Sequence, residues 1–226
     1  MGHSPEQIAD GLWRWTARHP EWHPGEFGRE VASFAIKAND DDVLLIDPLL
    51  PPEPEPVLEL IDGILGGRVA ILISIPYHVR SAEELWRRYR DECDCAIWGH
   101  SACRKRLDDR AGFREIRLGV PLPTGVSAHA IGRPRRQETP FYVPSHRALV
   151  FGDAVAEVDG ELRVWAIGKV DDRRARWYRE RFNPTLEPLL ELDFDCVLVT
   201  HGEPVLTDGR AKLRSALQAR AWNHRG

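Results

Sequence analysis

Three side chains able to bind a proton or a metal ion sit just past short apolar runs. His78 follows Val69–Ile75, Asp153 follows Ala148–Phe151, and His201 closes the run from Cys196 to Thr200. Asp47, after Val43–Ile46, is a fourth residue in the same position. Runs this short and this rich in β-branched residues read as buried strands rather than helices. In open α/β sheets, ligand sites gather just beyond the carboxyl ends of strands. The four side chains are therefore candidates for one shared site.

The rest of the chain supplies elements to position them. Leu12–Thr16 and Val31–Lys37 alternate as strands do, and Asp40–Asp42 reads as a turn. His19–Gly25 is a loop rich in proline and aromatic residues, and the prolines from Pro48 to Pro56 form a stiff connection. Val57–Leu65 reads as a helix stopped by Gly66-Gly67. Ser81-Ala-Glu-Glu84 has the form of a capping box at the head of a helix running to about Arg90. A strand at Cys95–Trp98 and a short helix at Ser101–Asp108 follow, which is the alternation of a layered α/β fold. In the second half, strands are expected at Val126–Ile131, Pro140–Val143, Ala148–Phe151 and Cys196–His201. Helices are expected at Asp171–Phe182 and from Asp208 to about Ala221. No internal repeat or low-complexity segment stands out.

The order and spacing of four segments carry a resemblance. They are Leu44–Pro48, Ile71–Leu85, Val150–Ala154 and Val199–Pro204. Together they resemble the metallo-β-lactamase superfamily, over nearly the whole chain and most specifically at Phe151-Gly-Asp-Ala154 and Thr200–Arg210. The resemblance implies one domain over residues 1–226, an αββα sandwich of two mixed sheets with helices outside. It also implies a hydrolase using one or two zinc or iron ions. The family's His-x-His-x-Asp-His motif, laid over this sequence through Ala82–Leu85, falls on Ile73, Ile75, Tyr77 and His78. A further family histidine falls near Arg133-Pro134, with His129 a few residues upstream.

Under that correspondence one metal site is erased and the other keeps His78, Asp153 and His201. Two imidazoles and a carboxylate can hold one divalent ion (zinc, iron or manganese) with open positions for water. Such an ion would acidify its water for hydrolysis near neutral pH. Asp153 would take part in catalysis and Tyr77 would donate a hydrogen bond near the reacting group. The substrate would be a small ester, thioester, lactone or phosphoester. The second reading is a catalytically silent member that binds a small, anionic ligand or serves as an interaction module. Arg133, Arg135 and Glu138 lie where the family has its second metal loop. Arginines facing a pocket there would bind a carboxylate or phosphate in a forked geometry, while the bland alternative is an exposed basic turn.

Other features point to ordinary roles. Cys93, Cys95, His100 and Cys103 are close together, but their spacing matches no zinc-binding pattern well, and packing is the favoured reading. Trp13, Trp15 and Trp22 could line a pocket mouth, though core packing is the commoner fate of tryptophan. The chain has 226 residues, 42% hydrophobic and 29% charged, with a net charge of −4. That balance gives no reason to expect nucleic acid or an acidic membrane surface as partner. No run approaches the roughly 20 apolar residues of a membrane span, and Met1–Glu6 does not begin a signal peptide. Four cysteines, with Cys93 and Cys95 one residue apart, do not look like a disulfide framework, and a reducing, cytoplasmic setting is expected. A small molecule is the expected partner.

Overall fold

A computed structural model describes residues 4–23 and 27–225, and its central strands are buried on both faces. The first sheet has seven strands in chain order: β1 (Glu6–Ala9), β2 (Leu12–Arg18), β3 (Glu30–Lys37), β4 (Asp42–Ile46), β5 (Arg68–Ile73), β6 (Asp94–Gly99) and β7 (Phe113–Glu115). β1 to β4 run antiparallel, and β4 to β7 pair in parallel. The parallel part needs crossovers, which α1 (Glu55–Ile64) and α2 (Ala82–Tyr89) provide.

The second sheet is built from β8 (Ser127–Ala128), β9 (Phe141–Val143), β10 (Ala148–Phe151) and, after a β11 (Val155–Val158) to β12 (Glu161–Val164) hairpin, β13 (Cys196–Val199). Its order is β13-β10-β9-β8, with β10 and β13 parallel. Two further helices, α3 (Asp172–Trp177) and α4 (Gly209–Gln218), complete the chain.

Period-two alternation explains the layering. Along β4, Val43 and Leu45 pack with Val57 and Ile61 of α1 and Leu85 and Trp86 of α2. Leu44 and Ile46 face the other way, against Phe141, Val143, Val150 and Leu198 of the second sheet. On β10 and β13, Leu149, Phe151, Val197 and Val199 point outward to Leu213 and Ala216 of α4. One side chain in two therefore belongs to the middle layer and its neighbour to an outer one. This is an αββα sandwich of two mixed sheets, as the family resemblance implied.

Several boundaries differ from expectation. The 101–108 segment forms only short 3-10 turns over Ser101–Arg106. α3 gives way after Trp177 to a wider turn at Tyr178–Phe182. β1, β7 and the β11–β12 hairpin are short, half-exposed elements without a strong sequence signal. The expected capping box does not close: the Ser81 hydroxyl accepts from the Leu50 backbone N–H at 3.0 Å instead. It thereby ties the head of α2 to the stiff proline connection. Pro24 and Gly25 of the aromatic loop, and Met1–His3, lie outside the described residues. Among the described residues, no helix is long and apolar enough to cross a membrane.

Candidate functional site

The carboxyl ends of β4, β5, β10 and β13 meet at one cavity of about 860 Å³. Backbone bonds fix the rims. The Asp47 N–H donates to the Leu72 carbonyl at 3.0 Å, Ala32 N–H to Thr200 at 2.8 Å, and Thr139 N–H to Ser74 at 2.7 Å. Asp47 is itself in the left-handed region, at φ 47°, and so is Arg80 at φ 42°. That conformation costs a side-chain-bearing residue roughly 1–2 kcal/mol. Two such residues beside one cavity mark a site whose geometry is imposed by its surroundings.

The Asp47 carboxylate organises the floor. Its Oδ1 accepts from Ser74 N–H at 2.8 Å, and its Oδ2 takes both the Ser74 hydroxyl and His78 Nδ1, the latter at 2.9 Å. The other ring nitrogen of His78, Nε2, faces Asp153 Oδ1 at 3.3 Å. Burial and the nearby Arg80 push the His78 pKa down, but Asp47 and Asp153 outweigh them and hold it above the ordinary value. His78 thus lies between two carboxylates. His201 Nε2 lies 3.7 Å from the same Asp153 oxygen, yet burial drives its pKa down to about 3, so its ring is neutral. Burial acts to raise the Asp153 pKa, but His78, Arg135 and His201 reverse this and lower it well below the carboxylate range.

The three residues expected at strand ends therefore converge, with Asp47 supporting them. Other expected residues are placed differently. Tyr77 borders the cavity but is 59% exposed, with the Arg106 guanidinium 4.1 Å from its ring centre. Arg133 is exposed and does not line the cavity. Glu138 is fully buried and acts as a brace: its Oε1 accepts from the Gly152 and Ala154 N–H groups at 3.0 and 2.9 Å. Burial raises its pKa to about 7. His129 pairs with the Ser127 hydroxyl, away from the cavity. Of the tryptophans, Trp22 lines the cavity, whereas buried Trp15 donates to the Leu49 carbonyl and Trp13 packs on the helix-side core. The four cysteines are free thiols, three of them buried, and burial raises Cys95 and Cys103 to about 12.

Arg135 stands where the sequence placed a forked cation. Its Nη1 is 3.5 Å from Asp153 Oδ2, and its Nη2 donates to the Trp165 carbonyl at 3.2 Å. Arg80, which the sequence did not single out, also borders the cavity and anchors through Nη1 to the Asp47 carbonyl at 2.9 Å. Among the described residues, the Nε and Nη2 atoms of Arg80 and the Nε of Arg135 are buried without a hydrogen-bond partner. The opposite wall is aromatic. Phe27 packs on Trp165 at 5.5 Å between ring centres, and Trp165 on His201 at 4.8 Å.

The fold has counterparts among solved structures. The DIM-1 metallo-β-lactamase exposed to ceftazidime superposes with a TM-score of 0.64 at 13% identity, covering 95% of each chain. A metallo-β-lactamase from Pontibacter korlensis gives 0.63 at 13%, covering 97% of this chain and 100% of that one. The flavodiiron protein from Giardia intestinalis gives 0.62 at 13%, covering 95% of this chain and 58% of that one.

The chain has the metallo-β-lactamase fold.

The sequence matches no family model and no curated protein. Ile73, assigned to a ligand position, is buried among the residues beneath α1 and α2. Ile75, Tyr77 and His78 of the same pattern line the cavity, and Arg80 lines it beside them.

A metal ion, which the fold implies, does not fit this residue set. Among the described residues, no group of three His, Cys, Asp or Glu side chains is arranged to hold one. Arg135 Nη1 lies 3.5 Å from Asp153 Oδ2 and His78 Nε2 lies 3.3 Å from Oδ1, which itself has no hydrogen-bond partner among the described residues. Ile75 brings no donor, and Arg80 adds a second fixed guanidinium beside the same carboxylates. A divalent ion would have to enter against that positive charge.

Proposed function

We propose that the strand-end cavity binds a small organic anion and that the protein works without a resident metal ion, as a ligand-binding member of this fold. One observation carries the reading: two arginines from separate loops, Arg80 and Arg135, border the same cavity with N–H groups left unsatisfied. A buried donor without a partner costs about 1–3 kcal/mol, more when it is charged. An incoming carboxylate or phosphate recovers that energy by charge-assisted bonds. The charge balance agrees. Arg80, Arg135 and His78 face Asp47 and Asp153, while burial favours the protonated form of Glu138.

The hydrolase reading, with one ion on His78, Asp153 and His201, needs Asp153 released from Arg135. The two readings part in one experiment. Purified protein reconstituted with zinc, iron or manganese is analysed for metal, and its binding of carboxylate and phosphate anions is followed by titration calorimetry. The proposal expects less than stoichiometric metal, anion binding that survives chelation, and loss of that binding in Arg135→Gln. One tightly held ion per chain, lost in His201→Ala, restores the hydrolase reading.

A further inference from the structure

We infer that the anion this cavity receives is an aromatic carboxylate, an inference that rests on the anion-binding reading above. The acid end is set by the arginines. Arg135 is more than nine-tenths buried, and its planar fork is held at both ends: Nη2 donates to the Trp165 carbonyl and Nη1 faces Asp153 and, at 3.9 Å, Glu138. Its Nε is left over, as are Nε and Nη2 of Arg80. Side-by-side guanidinium N–H groups match the two oxygens of a carboxylate. Asp153 and Glu138 lie close behind Arg135, and a singly charged carboxylate suits that setting better than a phosphate dianion.

The rest of the ligand is set by the wall beside them. The Arg135 guanidinium lies 5.5 Å from the Trp165 ring centre, so the charged corner and the aromatic wall are continuous. Phe27 stands edge-on to Trp165 and also to Trp222, at 4.7 Å. Phe27 and Trp165 are only half-buried and both border the cavity, with Ile75 and Val31 adding apolar surface. Aromatic edges and faces at these separations favour a further ring over an alkyl chain. A cavity of about 860 Å³ lies within the range of sites that enclose an organic molecule and is much larger than an inorganic ion needs. The neutral His201 ring packs on Trp165 and extends the wall toward Asp153.

The test is a comparison of four probes on the intact chain by titration calorimetry: naphthoate, hexanoate, the neutral naphthalene methanol, and inorganic phosphate. Naphthoate should bind about tenfold tighter than hexanoate, with naphthalene methanol and phosphate weaker still. Trp165→Leu should close the gap between naphthoate and hexanoate while hexanoate itself is little changed. Phe27→Leu provides the same check should Trp165→Leu lower the melting temperature sharply. Equal binding of naphthoate and hexanoate by the wild type, or preference for phosphate, overturns the aromatic carboxylate and leaves the anion site standing. Binding of naphthalene methanol as tightly as naphthoate, or of none of the three anions, overturns both.

Discussion

At the scale of single residues, the site is a chain of charges ordered by who is buried beside whom. Asp47 receives three donors from Ser74 and His78, all inside the fold. Asp47→Asn turns one acceptor into a donor facing those N–H and O–H groups. We expect it to lower stability by about 1–3 kcal/mol in urea denaturation. A cost near zero would mean the network is not a structural support. Glu138 gives a pH signature. In the unfolded chain its carboxyl ionises near pH ~4.3, whereas burial holds it protonated to about 7 in the folded state. Between those values the folded state binds the extra proton, so stability falls as pH rises through that window. The fall could reach roughly 4 kcal/mol, because a shift of one pKa unit is about 1.4 kcal/mol. Glu138→Gln mimics the protonated form and still accepts from Gly152 and Ala154. Its melting temperature should lose most of that slope, and an unchanged slope would assign the effect to another group.

At the scale of elements, the strand ends must come together with little slack. Gly152, which ends β10, sits against β5: a Cβ there would lie 2.6 Å from Ser74 Oγ and 3.3 Å from Ile75 Cγ2. Gly152→Ala must push these strand ends apart, at a cost of about 1–3 kcal/mol. Gly63 in α1 is the opposite case, since a Cβ there meets nothing within 4 Å. Gly63→Ala should stabilise by about 0.5–1 kcal/mol through reduced freedom of the unfolded chain. The same substitution is thus predicted to have opposite signs at two positions, read side by side in thermal melts. If both destabilise, the open space beside α1 is not what the packing implies.

At the scale of the whole molecule, binding and stability are linked. A ligand that binds only the folded chain raises its stability by about 2.7 kcal/mol at a hundred times its dissociation constant. Saturating naphthoate should therefore raise the melting temperature, and chelation by EDTA should leave it unchanged. A large drop on chelation would show that a metal ion supports the fold. The two sheets give the cavity a rigid floor, since β4, β5, β10 and β13 are buried on both faces. Its upper wall is made of loops, including Phe27 and the segment bearing Arg135. That division favours a fixed acid-binding corner with a more adaptable aromatic wall.

The sequence by itself determined the layers and the meeting place. Short apolar runs with helices between them read as a layered α/β fold, the family resemblance implied the sandwich, and side chains just past those runs gather at one edge. His78, Asp153 and His201 were legible for that reason. The tertiary structure alone decided which charges face them. Arg80 gave no periodic or motif signal, and its place follows from a left-handed turn that only the surrounding contacts impose. Arg133 and Arg135 look alike in the sequence, but one is exposed and the other is closed in by Trp165, Glu138 and Asp153. Ile73 and Ile75 likewise look alike in the sequence, but one is buried beneath the helices and the other borders the cavity. Whether a carboxylate faces a metal or a guanidinium depends on contacts between residues far apart in the chain, and those exist only once the sheets have packed.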